Sequence, residues 1–178
     1  MIIVIEGADL VGKTTVINRL AAEIQNSIPL KLEVVIDLDS KCVADIEKAI
    51  NHTAYSIMSK DVDKIWLVDR FIVSALIYSK YLNRPTKLSV KDIIDRDYTI
   101  IILGTFETVL VERFTKRHDK HFSIDEIQTL NKLFFNFYTL NLLEINNLHY
   151  LINNTQDDLD RIIRYVKKLI MYKTDYDK

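Results

Sequence analysis

The sequence predicts an α/β protein built on a five-stranded parallel sheet with helices on both faces, in three layers. Three observations predict it. Short runs rich in Ile, Val and Leu recur along the chain, apolar throughout as strands buried on both faces are. Segments with apolar residues at helical spacing separate those runs. The first run also passes through Gly7-Ala8-Asp9-Leu10-Val11-Gly12-Lys13-Thr14 directly into a helical pattern. That is the strand, glycine loop and helix of a phosphate-binding loop.

Each element has its own signal. Ile2–Ile5 is the first strand, and Val16, Ile17, Leu20, Ala21 and Ile24 make 13–27 an amphipathic helix closed off by Pro29. Leu32–Ile36 reads as the second strand, with Asp37 and Asp39 at its end. A helix of modest amphipathicity over 41–58 precedes the third strand, Ile65–Val68, which ends in Asp69-Arg70. A helix over about 72–83 stops before Pro85, and Ser89 with Asp92 opens a short one. Thr99–Leu103 is the fourth strand, followed by a helix over about 106–117. Ser123 with Glu126 forms a capping box for a long helix to about 145. Leu148–Ile152 is the fifth strand, and Thr155 with Asp158 caps a last helix with Leu159, Ile162, Ile163, Val166 and Ile170 on one face.

Ligands of such sheets sit at the carboxyl ends of the strands. The glycine loop, Asp37 and Asp39, Asp69-Arg70 and Gly104-Thr105 are therefore expected around one crevice. In the loop, Gly7 and Gly12 allow a tight turn and close approach to phosphate oxygens. Backbone N–H groups at the helix N-terminus bind the anion, Lys13 reaches the β/γ-phosphates, and the Thr14 hydroxyl suits Mg²⁺. The loop is read as nucleotide-binding over Gly7, Asp9, Leu10, Val11, Gly12, Lys13, Thr14 and Thr15. Asp69 completes the Mg²⁺ shell or simply caps the turn after its strand, and Arg70 bridges phosphates or forms an ion pair. Asp9 is not needed for phosphate binding; its uses are a sugar hydroxyl of a second substrate or a neighbouring Arg. The basic run after Glu112, with Arg113, Lys116 and Arg117, is either a lid over the phosphates or a solvated helix end with favourable cations. His118 and His121 lack the further ligands of a zinc site.

With 178 residues, 48 % of them apolar and 28 % charged, three glycines, two prolines and no linker or repeat, the whole of 1–178 is expected to be a single domain. A net charge of −1 provides no basic field for nucleic acid, and no apolar run reaches membrane-spanning length. The first residues enter a strand at once, so no cleaved targeting segment is expected. A single cysteine, Cys42, forms no internal disulfide, and the cytoplasm is the expected compartment.

Glu6 to Thr15 resembles the loop of thymidylate kinases, which carry an acid at the same place. Asp69-Arg70-Phe71-Ile72-Val73-Ser74-Ala75-Leu76-Ile77-Tyr78 is similar to that family's Asp-Arg-Tyr/Phe segment with its following Ser and Tyr. Val111-Glu112-Arg113 and the basic run are similar to its Leu-Glu-Arg and lid, here about 113–122, and Tyr138 lies where the next helix carries a Tyr. The resemblance implies a P-loop kinase fold and phosphoryl transfer from ATP·Mg²⁺ to a deoxynucleoside monophosphate, dTMP to dTDP. It implies that Asp9 touches the sugar 3′-hydroxyl and Arg70 the acceptor phosphate, while Lys13, Arg113 and Arg117 stabilise the transferred group. Asp37, Phe71, Ser74, Tyr78 and Tyr138 join the acceptor side, and a homodimer is implied as well.

The departures fall on the acceptor side. Asp37-Leu38-Asp39-Ser40-Lys41 replaces the family's Thr-Arg-Glu-Pro, no Arg stands between Arg19 and Arg70, and Ser79 replaces a Gln. Three alternatives stay open. One is a deoxynucleoside kinase with Asp37 or Asp39 as base, and another a kinase of a modified thymine in DNA. The third is an inactive nucleotide-binding module, against which Lys13, Thr14, Asp69 and the basic run argue.

Overall fold

A computed structural model describes residues 1–32, 40–117 and 121–176. Its strands are β1 (Ile2–Glu6), β2 (Ser27–Lys31), β3 (Ile65–Asp69), β4 (Thr99–Gly104) and β5 (Leu148–Ile152). They form one all-parallel sheet in the order β2-β3-β1-β4-β5. Every residue of β1 and β4 is buried, as their uninterrupted apolar runs require. The helices are α1 (Lys13–Glu23), α2 (Ser40–Met58), α3 (Ile72–Tyr81), α4 (Lys91–Ile94), α5 (Glu107–Arg117), α6 (Ile124–Asn141) and α7 (Gln156–Tyr176). α1 lies over β1, β2 and β3 and meets α7, while α6 lies over β4 and β5 and meets α3 and α5. The result is the three-layer arrangement expected.

One element is placed differently from the expectation. The first helix stops at Glu23, Ile24 is extended, and Asn26 takes a left-handed turn (φ 61°), which Asn tolerates well. The second strand then starts at Ser27, so Pro29 lies inside a strand instead of closing a helix. The position permits it, because β2 is an edge that pairs only with β3, from Ser27↔Ile65 to Lys31↔Asp69. Proline removes a donor that an edge strand does not need. Of the strand expected at 32–36 only Leu32 is described; its N–H donates to Asp69 O at 3.0 Å, just past β2. Asp37 and Asp39 lie outside the described residues.

The other boundaries move by a few residues at most. The Ser123–Glu126 capping box forms as expected, with Ser123 N–H donating to Glu126 Oε2 at 2.7 Å. α6 ends at Asn141, whose side-chain amide donates to Phe137 O at 2.7 Å. α3 ends at Tyr81 ahead of left-handed Asn83 (φ 51°). Phe134 of α6 is fully buried against Tyr78 of α3, ring centroids 6.3 Å apart, and joins the two helices over the sheet.

Phe134→Ala is expected to lower stability by about 3–5 kcal/mol through the cavity it leaves. Ser123→Ala, which loses only a cap, should cost about 1 kcal/mol. Urea unfolding of both variants checks the ranking; equal losses would mean that α6 is not anchored through Phe134.

Candidate active site

β1 lies between β3 and β4, so its carboxyl end opens between theirs, with Ile5 opposite Asp69 and Glu6 opposite Ile102. The chain leaves β1 through Gly7 at φ 138°, where a side chain would meet Leu103 O at 2.5 Å. It enters α1 through Gly12 at φ 93°. α1 has no side-chain cap and no acid in its first turn. Its first N–H groups and the positive end of its dipole are thus left for an anion.

Lys13 is buried and donates from Nζ to Ala8 O at 2.6 Å. Burial and the nearby Arg70 charge lower its pKa to about 8, against the opposing pull of Asp9, Asp69 and Glu6. Thr14 Oγ1 donates to Asp69 Oδ2 at 3.1 Å. The other Asp69 oxygen, Oδ1, is buried without a hydrogen-bond donor among the described residues. A buried carboxylate oxygen left bare is costly, and a cation answers it. A hydroxyl and one carboxylate beside a phosphate loop suit Mg²⁺, which keeps water and phosphate oxygens as its remaining ligands. Among the described residues no group of three or more His, Cys, Asp or Glu could hold a metal by itself.

On the other side of the loop, Arg70, Asp9 and Tyr78 form one group. Arg70 sits at the end of β3 in a left-handed conformation (φ 69°). It donates to Gly7 O at 3.2 Å and Ser74 Oγ at 3.4 Å, and pairs with Asp9. Tyr78 donates to the second Asp9 oxygen at 2.9 Å, and the Arg70 guanidinium lies 5.0 Å from its ring centre. Ser74 and Tyr78 are four apart on α3 and so face the loop together. Burial pushes the Asp9 carboxyl up, but the charges of Arg70 and Lys13 and the Tyr78 hydroxyl outweigh it and hold Asp9 below its ordinary value. Glu6, fully buried, accepts from Phe71 N–H at 2.8 Å and from the Ser74 hydroxyl, which braces the Arg70 turn. Burial drives its carboxyl up. Asp9 is the more exposed end of the group and Arg70 the buried end.

α5 closes the other flank. Arg113 donates to Leu10 O and to Asn153 O, each at 2.9 Å. Lys116 and Arg117 are exposed in the last turn of α5. They line a cleft of about 270 Å³ with Leu10, Gly12, Thr15 and the 153–156 turn. The expected lid segment is held at both ends, by Arg113 on the loop and by buried Phe122 against Tyr78 (5.8 Å between centroids). Residues 118–120 lie outside the described ones.

The fold thus brings together Gly7, Asp9, Leu10, Val11, Gly12, Lys13, Thr14, Asp69, Arg70, Ser74, Tyr78 and Arg113. Thr15 and Arg117 line the adjoining cleft. Phe71 instead buries its ring edge-on against Tyr98 at 5.7 Å. Tyr138 packs on Tyr150 of β5 at 5.4 Å, while Phe134, one turn earlier, is the α6 residue that meets Tyr78. Sequence reasoning missed Asn153, which follows β5, is buried, and donates from its amide to Val11 O at 2.8 Å. The strand-end rule that selected Asp69 would have found it too.

No family model matches the chain. It is similar to a thymidylate kinase of Helicobacter hepaticus, 24 % identical, over 96 % of this chain and 98 % of the relative. Among solved structures it is similar to the YorR protein of Bacillus subtilis, in complex with phosphorylated GDP (TM-score 0.67, 20 % identity, 98 % of each chain). It is also similar to the thymidylate kinase of Ehrlichia chaffeensis (TM-score 0.62, 18 % identity, 96 % of this chain and 98 % of that one). The chain is therefore similar to thymidylate kinases along its length and shares the three-layer P-loop kinase fold.

The lowered pKa of Lys13 makes a sign-specific prediction. Well below pH 8 the lysine is already charged and binding takes up no proton; above it the free lysine is neutral and must gain one beside the phosphates. Affinity for ADP·Mg²⁺ should therefore fall as pH rises through about 8. Calorimetry in buffers of different ionisation heat should show proton uptake there and none for Lys13→Met. Equal uptake by Lys13→Met would place the titrating group elsewhere.

Proposed function

We propose that the protein transfers the γ-phosphoryl group of ATP to a deoxynucleoside monophosphate, with dTMP as the first acceptor to test. The observation that carries this reading is the pair of sites meeting at one loop. Lys13, the uncapped α1 N-terminus and the Thr14–Asp69 pair form the donor side. Asp9, Arg70 and Tyr78 form the acceptor side. The likeness to thymidylate kinases supports the same division.

The acceptor phosphate oxygen attacks the γ-phosphorus, the bond to the β,γ-bridging oxygen breaks, and ADP leaves with that electron pair. Lys13 and the loop N–H groups hold the donor phosphates in line, and Arg70 orients the acceptor phosphate. Thr14 and Asp69 would hold Mg²⁺, which would supply positive charge to the donor phosphates. Arg113 faces the loop close to Gly12, and Arg117 brings a further cation from the end of α5. Asp9, kept ionised by Arg70 and Lys13, accepts a hydrogen bond from a sugar hydroxyl.

A coupled ADP-release assay with ATP·Mg²⁺ and each deoxynucleoside monophosphate tests this. Turnover should be lost, by at least about a hundredfold, in Lys13→Ala. Turnover with deoxynucleosides alone would mean a deoxynucleoside kinase, and turnover with thymine-modified DNA alone a DNA-base kinase. ADP binding without any turnover would mean a binding module.

The proposal includes a homodimer. Ile46, Ile50 and Ile57 form one exposed apolar stripe along α2, a surface suited to a second copy. Ile50→Glu should convert a sedimenting dimer to monomer; an unchanged mass would place the interface elsewhere.

A further inference from the structure

A phosphate loop must aim a row of N–H groups into one cleft before any ligand is there to gather them. In a planar trans peptide the C=O of one residue and the N–H of the next point in opposite directions. Anchoring a carbonyl outward therefore turns the following N–H inward. Four loop carbonyls are anchored by side chains. Arg70 holds Gly7 O and Lys13 holds Ala8 O. Arg113 holds Leu10 O, and Asn153 holds Val11 O.

The last two anchors act where the backbone has least freedom. Leu10 is a non-glycine residue in a left-handed conformation (φ 65°), so something must hold the turn there. The Asn153 amide is packed directly on the opening of α1, and a Cβ on Gly12 would run into its Nδ2. Asn153 is itself fixed on both sides. Its backbone N–H donates to Gly104 O at 2.9 Å, and its backbone O accepts from Arg113 and from Thr105 Oγ1 at 3.0 Å. Thr105 O in turn accepts from Asn131 of α6. The ends of β4 and β5, α5 and α6 thus converge on the backbone of Asn153, which carries its side-chain amide to the loop.

We propose that Asn153 is a positioning residue for donor-phosphate binding: its amide, braced by Arg113, aims the Gly12 N–H at the phosphates. This rests on the reading of the loop as a donor site and assigns the β5 end a part in it. Asn153 touches no reacting atom in this scheme and acts only through Val11 and Gly12.

The test measures ADP·Mg²⁺ affinity of the full chain by calorimetry, with melting temperature and both KM values alongside. Asn153→Ala is expected to bind ADP roughly tenfold more weakly, the size of one net hydrogen bond. Donor KM should rise with it and acceptor KM stay near that of the parent, while the melting temperature falls only modestly, because the buried Val11 carbonyl loses its donor. Arg113→Ala and Asn153→Ala should combine less than additively, because Arg113 holds the neighbouring peptide at Leu10 O and also donates to Asn153 O. ADP affinity within about twofold of the parent would overturn the assignment. So would a parallel rise of both KM values with a large drop in melting temperature, the mark of a loosened fold. Should Asn153→Ala fail to fold, Asn153→Asp keeps the volume but no longer donates; parent affinity at pH 8 in that variant would overturn the assignment equally. A parent that does not bind ADP·Mg²⁺ would instead refute the donor-site reading.

Discussion

The head of the sheet is governed by the cost of keeping charge where water cannot reach it. Lys13, Arg70, Glu6 and Asp69 are all buried ionisable side chains, and Asp9 is partly covered. An isolated ion in such a place would cost several kcal/mol, and only mutual pairing with filled hydrogen bonds offsets that. The arrangement meets the condition unevenly. Arg70 is surrounded by Asp9, Glu6, Asp69 and Tyr78 and is held firmly charged. Lys13 shares the same acids with Arg70 and loses in the competition, so its charge is the easily lost one. Under the proposed function, an arriving polyphosphate would supply a further anion beside Lys13, and that makes the loop receptive.

The same economy explains why the two halves of the crevice differ in character. On the Arg70 side the polar groups satisfy one another: Ser74 serves Glu6, Tyr78 serves Asp9, and Glu6 also holds Phe71 N–H. Such a network is rigid because each member loses a partner if another moves. On the α5 side Lys116 and Arg117 are exposed and only Arg113 is committed to backbone carbonyls. Chemistry that needs fixed geometry for one phosphate and added positive charge for another is well matched by such a division.

Strain at this crevice is answered locally. Leu10 and Arg70 both adopt left-handed backbone conformations, and both lie next to a carbonyl or N–H held by a side chain. The Glu6 carboxylate accepts from the N–H that follows Arg70, and the Arg113 guanidinium donates to the carbonyl of Leu10 itself. Uncommon φ values persist where neighbouring structure over-determines them.

Much of this protein was legible from sequence because the signals are local. Four apolar runs mark β1, β3, β4 and β5, and Ser123 with Glu126 starts α6 through contacts three residues apart. The glycine loop was recognisable between a strand and a helix, and the strand-end rule brought Asp69 to Thr14 across 55 residues. What the sequence left undecided depends on which strand is an edge and on what arrives from far along the chain. Pro29 reads as a helix stop until the sheet order makes its strand an edge. Phe71 follows a site residue yet turns into the core against Tyr98, and Tyr138 finds Tyr150. Asn153 reaches Val11 across 142 residues, a meeting that no local pattern encodes. Periodicity and turn chemistry are properties of neighbours in sequence, so the chain alone determined its elements other than β2, and its glycine loop. Partnership between side chains is a property of neighbours in space, so only the tertiary structure decided what holds that loop in shape.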